Sequence, residues 1–270
     1  MKHMLVIIFA ISLFSCEKSD VADLTSKRLV AVEAKTLIDV SYGAKGSQKM
    51  DVYLPANRSN TNTKVLILIH GGAWTEGDKS DFNTAVIEFQ KLIPQYAIFN
   101  INYSLAQFSW GGLTNKFPTQ ENDIKAAFDF IYKSRDDYVI SDKWVLAGAS
   151  SGAHLALLQG YKNASPVKAQ AIVDFFGPVD MVALYNYYSQ NDPTTAWALS
   201  SLMSGTPGNN PEMYANSSPI NFVNAQSPPT IILQGGLDDV VPKAQSYALE
   251  TRLNSFGIKN QLVYNGNQTH

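Results

Sequence analysis

The chain has 270 residues, of which 45% are hydrophobic and 16% charged, and its formal net charge is -2. This balance excludes a disordered polyelectrolyte, and with no basic stripe along any segment it excludes a nucleic-acid-binding surface. One cysteine excludes an intramolecular disulfide framework, and the four histidines lack i, i+4 pairing, so the sequence calls for neither a metal nor another cofactor.

In chain order, Met1-Lys2-His3 precedes an apolar run from Met4 to Phe14 that is too short to span a bilayer as a stable helix, so residues 1–15 read as a secretory signal. Leu13-Phe14-Ser15-Cys16 resembles a bacterial lipobox, which implies that Cys16 is acylated and becomes the first mature residue. Residues 16–28, mostly polar, then form a tether to the membrane, and the expected location is the cell envelope. The remaining 29–270 are the right size for one domain with a large core.

Apolar runs in that domain predict strands near 36–42, 48–54, 64–69, 96–102, 143–148, 168–174, 230–234 and 259–264. Helices are expected from about Phe82 to Leu92, Thr119 to Tyr132, Ser151 to Tyr161 and Pro242 to Phe256. Strands that alternate with helices imply an α/β fold with parallel strands, and such sheets collect reactive groups at the strands' C-terminal ends. Between residues 179 and 228 the pattern breaks into helix-like Met181 to Tyr188, helix-like Thr194 to Met203 and a Gly/Pro/Asn-rich stretch from Gly205 to Pro211. This segment reads as a small cap over the site, and Tyr185, Tyr187, Tyr188 and Trp197 are its candidates for lining a pocket. The loop from Tyr103 to Phe117, with Phe108 and Trp110, is a second candidate wall.

Three of the predicted strand ends carry chemistry. Gly148-Ala149-Ser150-Ser151-Gly152 follows an apolar strand and opens a helix, which is the pattern of a nucleophile elbow with Ser150 at its apex. Lys64 to Ile69 runs directly into His70-Gly71-Gly72-Ala73-Trp74, where closely spaced backbone amides suit an oxyanion hole. The amides of Gly72, Ala73 and Ser151 are assigned to that role, and Trp74 is the aromatic expected nearest the reacting bond. A serine needs a histidine base oriented by a carboxylate. His3 lies in the leader, His70 in the loop and His154 on the helix behind Ser150, which leaves His270. The acid belongs to the loop after the strand 230–234, where Asp238 and its neighbour Asp239 compete and the loser is expected to cap the helix near Pro242. Asp174 and Asp180 are weaker choices at an earlier strand end.

These residues resemble the carboxylesterase branch of the alpha/beta-hydrolase superfamily, which includes feruloyl-esterase-like, acetyl-esterase-like and kynurenine-formamidase-like enzymes. The likeness rests on Val52-Tyr53-Leu54-Pro55, His70 to Trp74 with Gly77-Asp78-Lys79, Phe117-Pro118 with Asp123, and Gly148 to Gly152. It continues through Phe176-Gly177-Pro178-Val179-Asp180, Ser217-Ser218-Pro219-Ile220, and Asp238 with Val241-Pro242. It implies an alpha/beta-hydrolase fold, with a mostly parallel sheet of about eight strands, helices on both faces and the small cap. It also implies a triad of Ser150, Asp238 and His270, with Trp74, Tyr185 and Trp197 meeting the substrate. The implied activity is ester hydrolysis through an acyl-enzyme, on small or glycan-linked acetyl or feruloyl esters. An amide hydrolase and a non-catalytic binding protein on the same fold are the competing readings.

Two departures stand out. Ala73 occupies a position where the hormone-sensitive-lipase-like branch carries a third glycine, which favours the branch named above. Relatives continue past the catalytic histidine into a final helix, so the resemblance leads one to expect that an extension by such a helix raises stability and rate.

Overall fold

The computed structural model describes residues 32–270, so Cys16, the signal and the tether as far as residue 28 lie outside the described residues. The chain enters an eight-stranded sheet through an antiparallel pair, β1 (Lys35–Ser41) and β2 (Lys49–Leu54), and continues into β3 (Val65–Ile69). Helix α1 (Asn83–Leu92) leads to β4 (Ala97–Ile101). A short hairpin of β5 (Gln107–Ser109) and β6 (Gly112–Thr114) follows, then α2 (Thr119–Lys133) and the single turn α3 (Arg135–Tyr138). Next come β7 (Trp144–Ala149), α4 (Ser151–Tyr161) and β8 (Ala171–Phe175). Three helices, α5 (Met181–Asn191), α6 (Pro193–Leu202) and α7 (Pro211–Asn216), separate β8 from β9 (Thr230–Gly235). Helix α8 (Ala244–Ser255) and β10 (Asn260–Asn265) complete the described chain.

The strand order is β1-β2-β4-β3-β7-β8-β9-β10. β2 pairs antiparallel with β4, and from β4 to β10 every neighbour is parallel. The sequence expectation of a mostly parallel sheet of about eight strands is met. All five residues of β3 and of β4 are buried, as strands covered on both faces must be. Along β3 the faces alternate: Val65, Ile67 and Ile69 join the larger core with α2, α4 and α8, whereas Leu66 and Leu68 meet Val86 and Phe89 of α1. Toward β9 and β10 the α1 side is open, and Ile231 and Val263 are each partly exposed.

The β5–β6 hairpin and α3 were absent from the predicted elements. Strands of three residues carry almost no periodicity, and the Gly111-Gly112 pair reads equally well as loop.

The inserted helices are fastened at their base. Gln245, buried on α8, accepts hydrogen bonds at Oε1 from the amides of Val179 and Asp180, both at 2.8 Å, and its Nε2 donates to the Asp180 carbonyl at 3.1 Å. The Met181 amide donates to Ser218 Oγ at 2.9 Å, and the Ile220 amide donates to the Val179 carbonyl at 3.2 Å. The entry of the insertion is therefore held to α8, and its two ends are bonded to each other.

Candidate active site

Ser150 sits between β7 and α4 with φ 52° and ψ -121°, a conformation that costs an ordinary L-residue on the order of 1–3 kcal/mol. The surroundings hold it there. Its amide donates to the Phe175 carbonyl at 2.8 Å, and its carbonyl accepts from His154 N at 3.0 Å in the first turn of α4. A Cβ on Gly152 would lie 2.1 Å from the Ile69 carbonyl oxygen, and one on Gly148 would lie 2.4 Å from Gly152, so the turn closes only with glycine at both positions.

The loop after β3 packs against this elbow. Gly72, Ala73 and Trp74 all have positive φ (104°, 51° and 62°), and the Gly72 carbonyl accepts from the amides of Thr75 and Glu76, each at 2.9 Å. That turn leaves the amides of Gly72 and Ala73 without an acceptor among the described residues, as is the amide of Ser151 in the first turn of α4. His70 holds the loop. Its ring is buried, donates from Nδ1 to the Gly71 carbonyl at 2.7 Å and stacks on Tyr103 at 4.4 Å. Burial pushes its pKa below the usual histidine value, which keeps it neutral. Tyr103, which the sequence reading passed over, donates to the carbonyls of His70 and Gly71 at 3.1 and 3.2 Å and lies 3.3 Å from Ser151 Oγ. Its place just past the end of β4 was a readable signal, by the same rule that picked out the other strand ends.

The acid and the histidine meet across two loops. His270 Nδ1 lies 2.9 Å from Asp238 Oδ2, and the Asp238 side chain is fully buried in that contact. Asp238 Oδ1 accepts from the amides of Val240 and Val241 at 3.0 and 2.8 Å. Burial alone would raise its pKa, but the donors on His270, Val241 and Gln234 outweigh that and hold the carboxyl below the ordinary range. Gln234 is a second residue that the sequence reading missed. Its Nε2 donates to Asp238 Oδ2 at 3.1 Å while its Oε1 accepts from Ser246 at 2.6 Å, so a buried amide shares the oxygen that faces the imidazole. Gly235 and Gly236 let the histidine loop approach: added Cβ atoms would meet the Thr269 and Gly266 carbonyl oxygens at 2.4 and 2.5 Å. Asp239 is exposed, and it caps nothing, since α8 begins at Ala244 without a side-chain cap.

The elbow and the histidine are joined through the adjacent residues Phe175 and Phe176. Phe175 accepts from the Ser150 amide, and the next ring, Phe176, lies 4.5 Å from the His270 ring. Ser150 Oγ makes no hydrogen bond to His270 or to any other described residue. His154 is buried, donates from Nε2 to the Ser217 carbonyl at 2.7 Å and has its pKa pushed down to about 4 by burial, so it is a neutral strut. Asp180 caps α5 through the Ala183 amide.

An apolar cleft of about 200 Å³ opens over Ser150, walled by Trp74, Leu184, Tyr188, Leu199, Leu202 and Val241. Trp74 lines the cleft together with Ser150. Tyr185 and Trp197 do not line this cleft and are corrected here: Tyr185 turns to the core against Tyr214 at 6.0 Å, and Trp197 lies outside, stacked on Phe108 at 5.5 Å. Tyr188 instead reaches across, donating to the Val240 carbonyl at 2.5 Å and linking α5 to the acid loop.

Asp174 lies behind the elbow, in register with Gly148, with Oδ1 accepting from Gly177 N at 2.7 Å and Oδ2 unpartnered among the described residues. Burial pushes its pKa up to about 7, against the lowering effect of the Gly177 amide. A folded-state value above the unfolded value of about 4 means that the native state holds the extra proton. Stability from the neutral carboxyl is complete below about pH 4 and lost as the pH rises through about 7. Asp174→Asn stays neutral and keeps the acceptor for Gly177, so its thermal midpoint relative to the native protein should rise by several degrees between about pH 5 and pH 8. A difference that does not vary with pH would show that this carboxyl does not titrate in the folded state.

Comparisons with known proteins agree with this architecture. The BD-FAE family model matches residues 50–253. The chain is 27% identical over 235 residues to Esterase LipQ of Mycobacterium tuberculosis, covering 81% of this chain and 53% of that protein. It is 26% identical over 238 residues to Esterase LipC of the same organism, covering 83% and 56%. The chain thus spans about half the length of the curated relatives it matches. Among solved structures, a bifunctional GH43-CE protein of Bacteroides eggerthii superposes with a TM-score of 0.72 at 28% identity, over 87% of this chain and 35% of that one. A truncated carbohydrate esterase from gut microbiota superposes at 0.70 and 25% identity, over 86% and 88%.

Proposed function

Because the chain belongs to the BD-FAE family of alpha/beta-hydrolases, we propose that it is a serine carboxylic-ester hydrolase with Ser150 as nucleophile, His270 as base and Asp238 as the orienting acid. The observation that carries this reading is the Asp238–His270 contact of 2.9 Å, formed by two loops that follow different strands of the sheet whose β7 delivers Ser150. With Nδ1–H engaged by Asp238, Nε2 is the nitrogen that takes a proton.

The reaction runs in two steps. Ser150 Oγ attacks the ester carbonyl carbon as its proton passes to His270 Nε2, and the oxyanion receives the amides of Gly72, Ala73 and Ser151. The carbon–oxygen bond to the alcohol breaks, the alcohol leaves with the proton from His270, and the acyl group remains on Ser150. Water then attacks the acyl-enzyme by the same route and frees the acid. For the first transfer the loop carrying His270 must bring Nε2 onto Oγ, a contact that catalytic residues commonly complete only with substrate bound.

The apolar cleft beside Ser150 suits an uncharged acyl group. Acetyl and feruloyl esters of glycans fit that description, and one structural neighbour is described as a carbohydrate esterase. Rates on matched para-nitrophenyl acetate, aryl feruloyl ester and aryl formamide substrates test the reading. We expect kcat/KM on the esters to exceed that on the formamide by at least about tenfold. A reversed ratio would make the protein an amide hydrolase, and stoichiometric labelling of Ser150 by a fluorophosphonate probe excludes a non-catalytic binding protein.

A further inference from the structure

We propose that Phe108, Trp110 and Trp197 form an aromatic platform beside the cleft that binds a neutral oligosaccharide, the part of a glycan ester that lies outside the acyl pocket. The proposal rests on the ester-hydrolase reading for its connection to catalysis, but the Phe108–Trp197 stack is observed independently of that reading. Phe108 and Trp197 are 58% and 59% exposed even though they stack, with their ring planes 6° apart. Trp110, two residues beyond Phe108 at the tip of the β5–β6 hairpin, is fully exposed. Side chains of this size are ordinarily buried, so an exposed stacked pair with a third exposed ring on the same hairpin marks a contact surface.

The position of the platform ties it to the site. The hairpin is joined to the oxyanion loop by the Ala106 amide, which donates to the Trp74 carbonyl at 2.8 Å. Helix α6 contributes Thr195, Ala198, Leu199 and Leu202 to the cleft on one stripe and Trp197 to the platform on another. A ligand whose acyl group lies against Leu199 and whose remaining length passes over α6 would meet Trp197 and Phe108 next.

Charge decides the class of occupant. No charged residue occurs from Leu105 to Asn115 or from Pro193 to Ser204. A surface for nucleic acid or for anionic lipid would carry Lys and Arg there. The neighbours that share a face with these rings are neutral as well: Leu113 is paired with Phe108 across the hairpin, and the hydroxyls of Ser200 and Ser201 lie one turn beyond Trp197 on α6. A pyranose matches both features. Its face of axial C–H groups carries the partial positive charge that the negative face of an aromatic ring attracts, and its hydroxyl rim reaches the serine hydroxyls of α6.

The test pairs two readouts. In the first, kcat/KM of Trp110→Ala and of Trp197→Ala is measured on an acetylated xylo-oligosaccharide and on para-nitrophenyl acetate. We expect a fall of about tenfold on the oligosaccharide, carried by KM, with a ratio of the two substrates that shifts by the same factor. Equal falls on both substrates, or none, would overturn the proposal. In the second, unesterified xylohexaose and cellohexaose are titrated against the full chain by tryptophan fluorescence, which needs no turnover. Quenching that is lost in Trp110→Ala supports the platform even if the protein proves inactive on esters. No response to either sugar, or a blue shift given by neutral phosphatidylcholine vesicles instead, would overturn it in favour of a structural or lipid-facing role.

Discussion

Ser150→Ala is expected to lose ester turnover by a factor of roughly 10⁴ or more while its thermal midpoint stays within about 2 °C of the native protein. The rate loss follows from the chemistry, since no other hydroxyl stands at the apex of the elbow beside the amides of Ala73 and Ser151. The unchanged midpoint follows from the backbone: alanine inherits the φ of 52° and the same hydrogen bond from residue 150 to the Phe175 carbonyl, and the side-chain hydroxyl has no partner to lose. Ser150→Gly separates strain from chemistry. It should be equally inactive yet more stable than Ser150→Ala by about 1 kcal/mol, because glycine accepts positive φ without the Cβ penalty. Steady-state rates with thermal denaturation of the three proteins check both statements, and substantial turnover in Ser150→Ala would remove the serine from the mechanism.

Asp238→Asn should lower kcat by about 10³- to 10⁴-fold, whereas Asp239→Asn should stay within about twofold of the native rate. Asp238 Oδ2 receives two donors, His270 Nδ1–H and Gln234 Nε2–H, and Oδ1 receives two backbone amides. An asparagine can keep the amides of Val240 and Val241 only by turning its own NH₂ toward two other donors. The imidazole must then adopt the tautomer whose Nε2 carries the proton, which cannot accept one from Ser150. Asp239 has no such duty: its side chain is exposed, and its carbonyl only accepts from Tyr187 at 3.3 Å. Rates of the two variants at neutral pH decide the matter, and the reverse order would move the acid by one residue.

The sheet was legible because its central strands are unbroken apolar runs, and an all-buried run such as Val65 to Ile69 has few other places to go. The elbow and the oxyanion loop were legible because tight turns and close backbone approach restrict which residues can occupy them. The acid was only narrowed to a pair, since adjacent residues in a loop point apart in a way that depends on amides several positions later. Gln234 and Ser246 gave no signal at all, because a buried glutamine beside a carboxylate looks in sequence like any polar residue ending a strand. The misplaced aromatics had a physical clue. Thr195, Ala198, Leu199 and Leu202 fall on one helical stripe with the spacing i, i+3, i+4, i+7, and Trp197 lies off it. Size suggested a pocket residue where periodicity pointed to the outside.

The single glutamine that ties down the helices between β8 and β9 carries a further consequence. With its entry bonded to α8 and its exit bonded back to its entry, this stretch resembles a cassette plugged into a socket, and the groups of the triad lie outside it. Exchanging the span between Asp180 and Ile220 for that of a relative should retune which esters are accepted while leaving acyl transfer itself intact, provided Gln245 and Ser218 are kept.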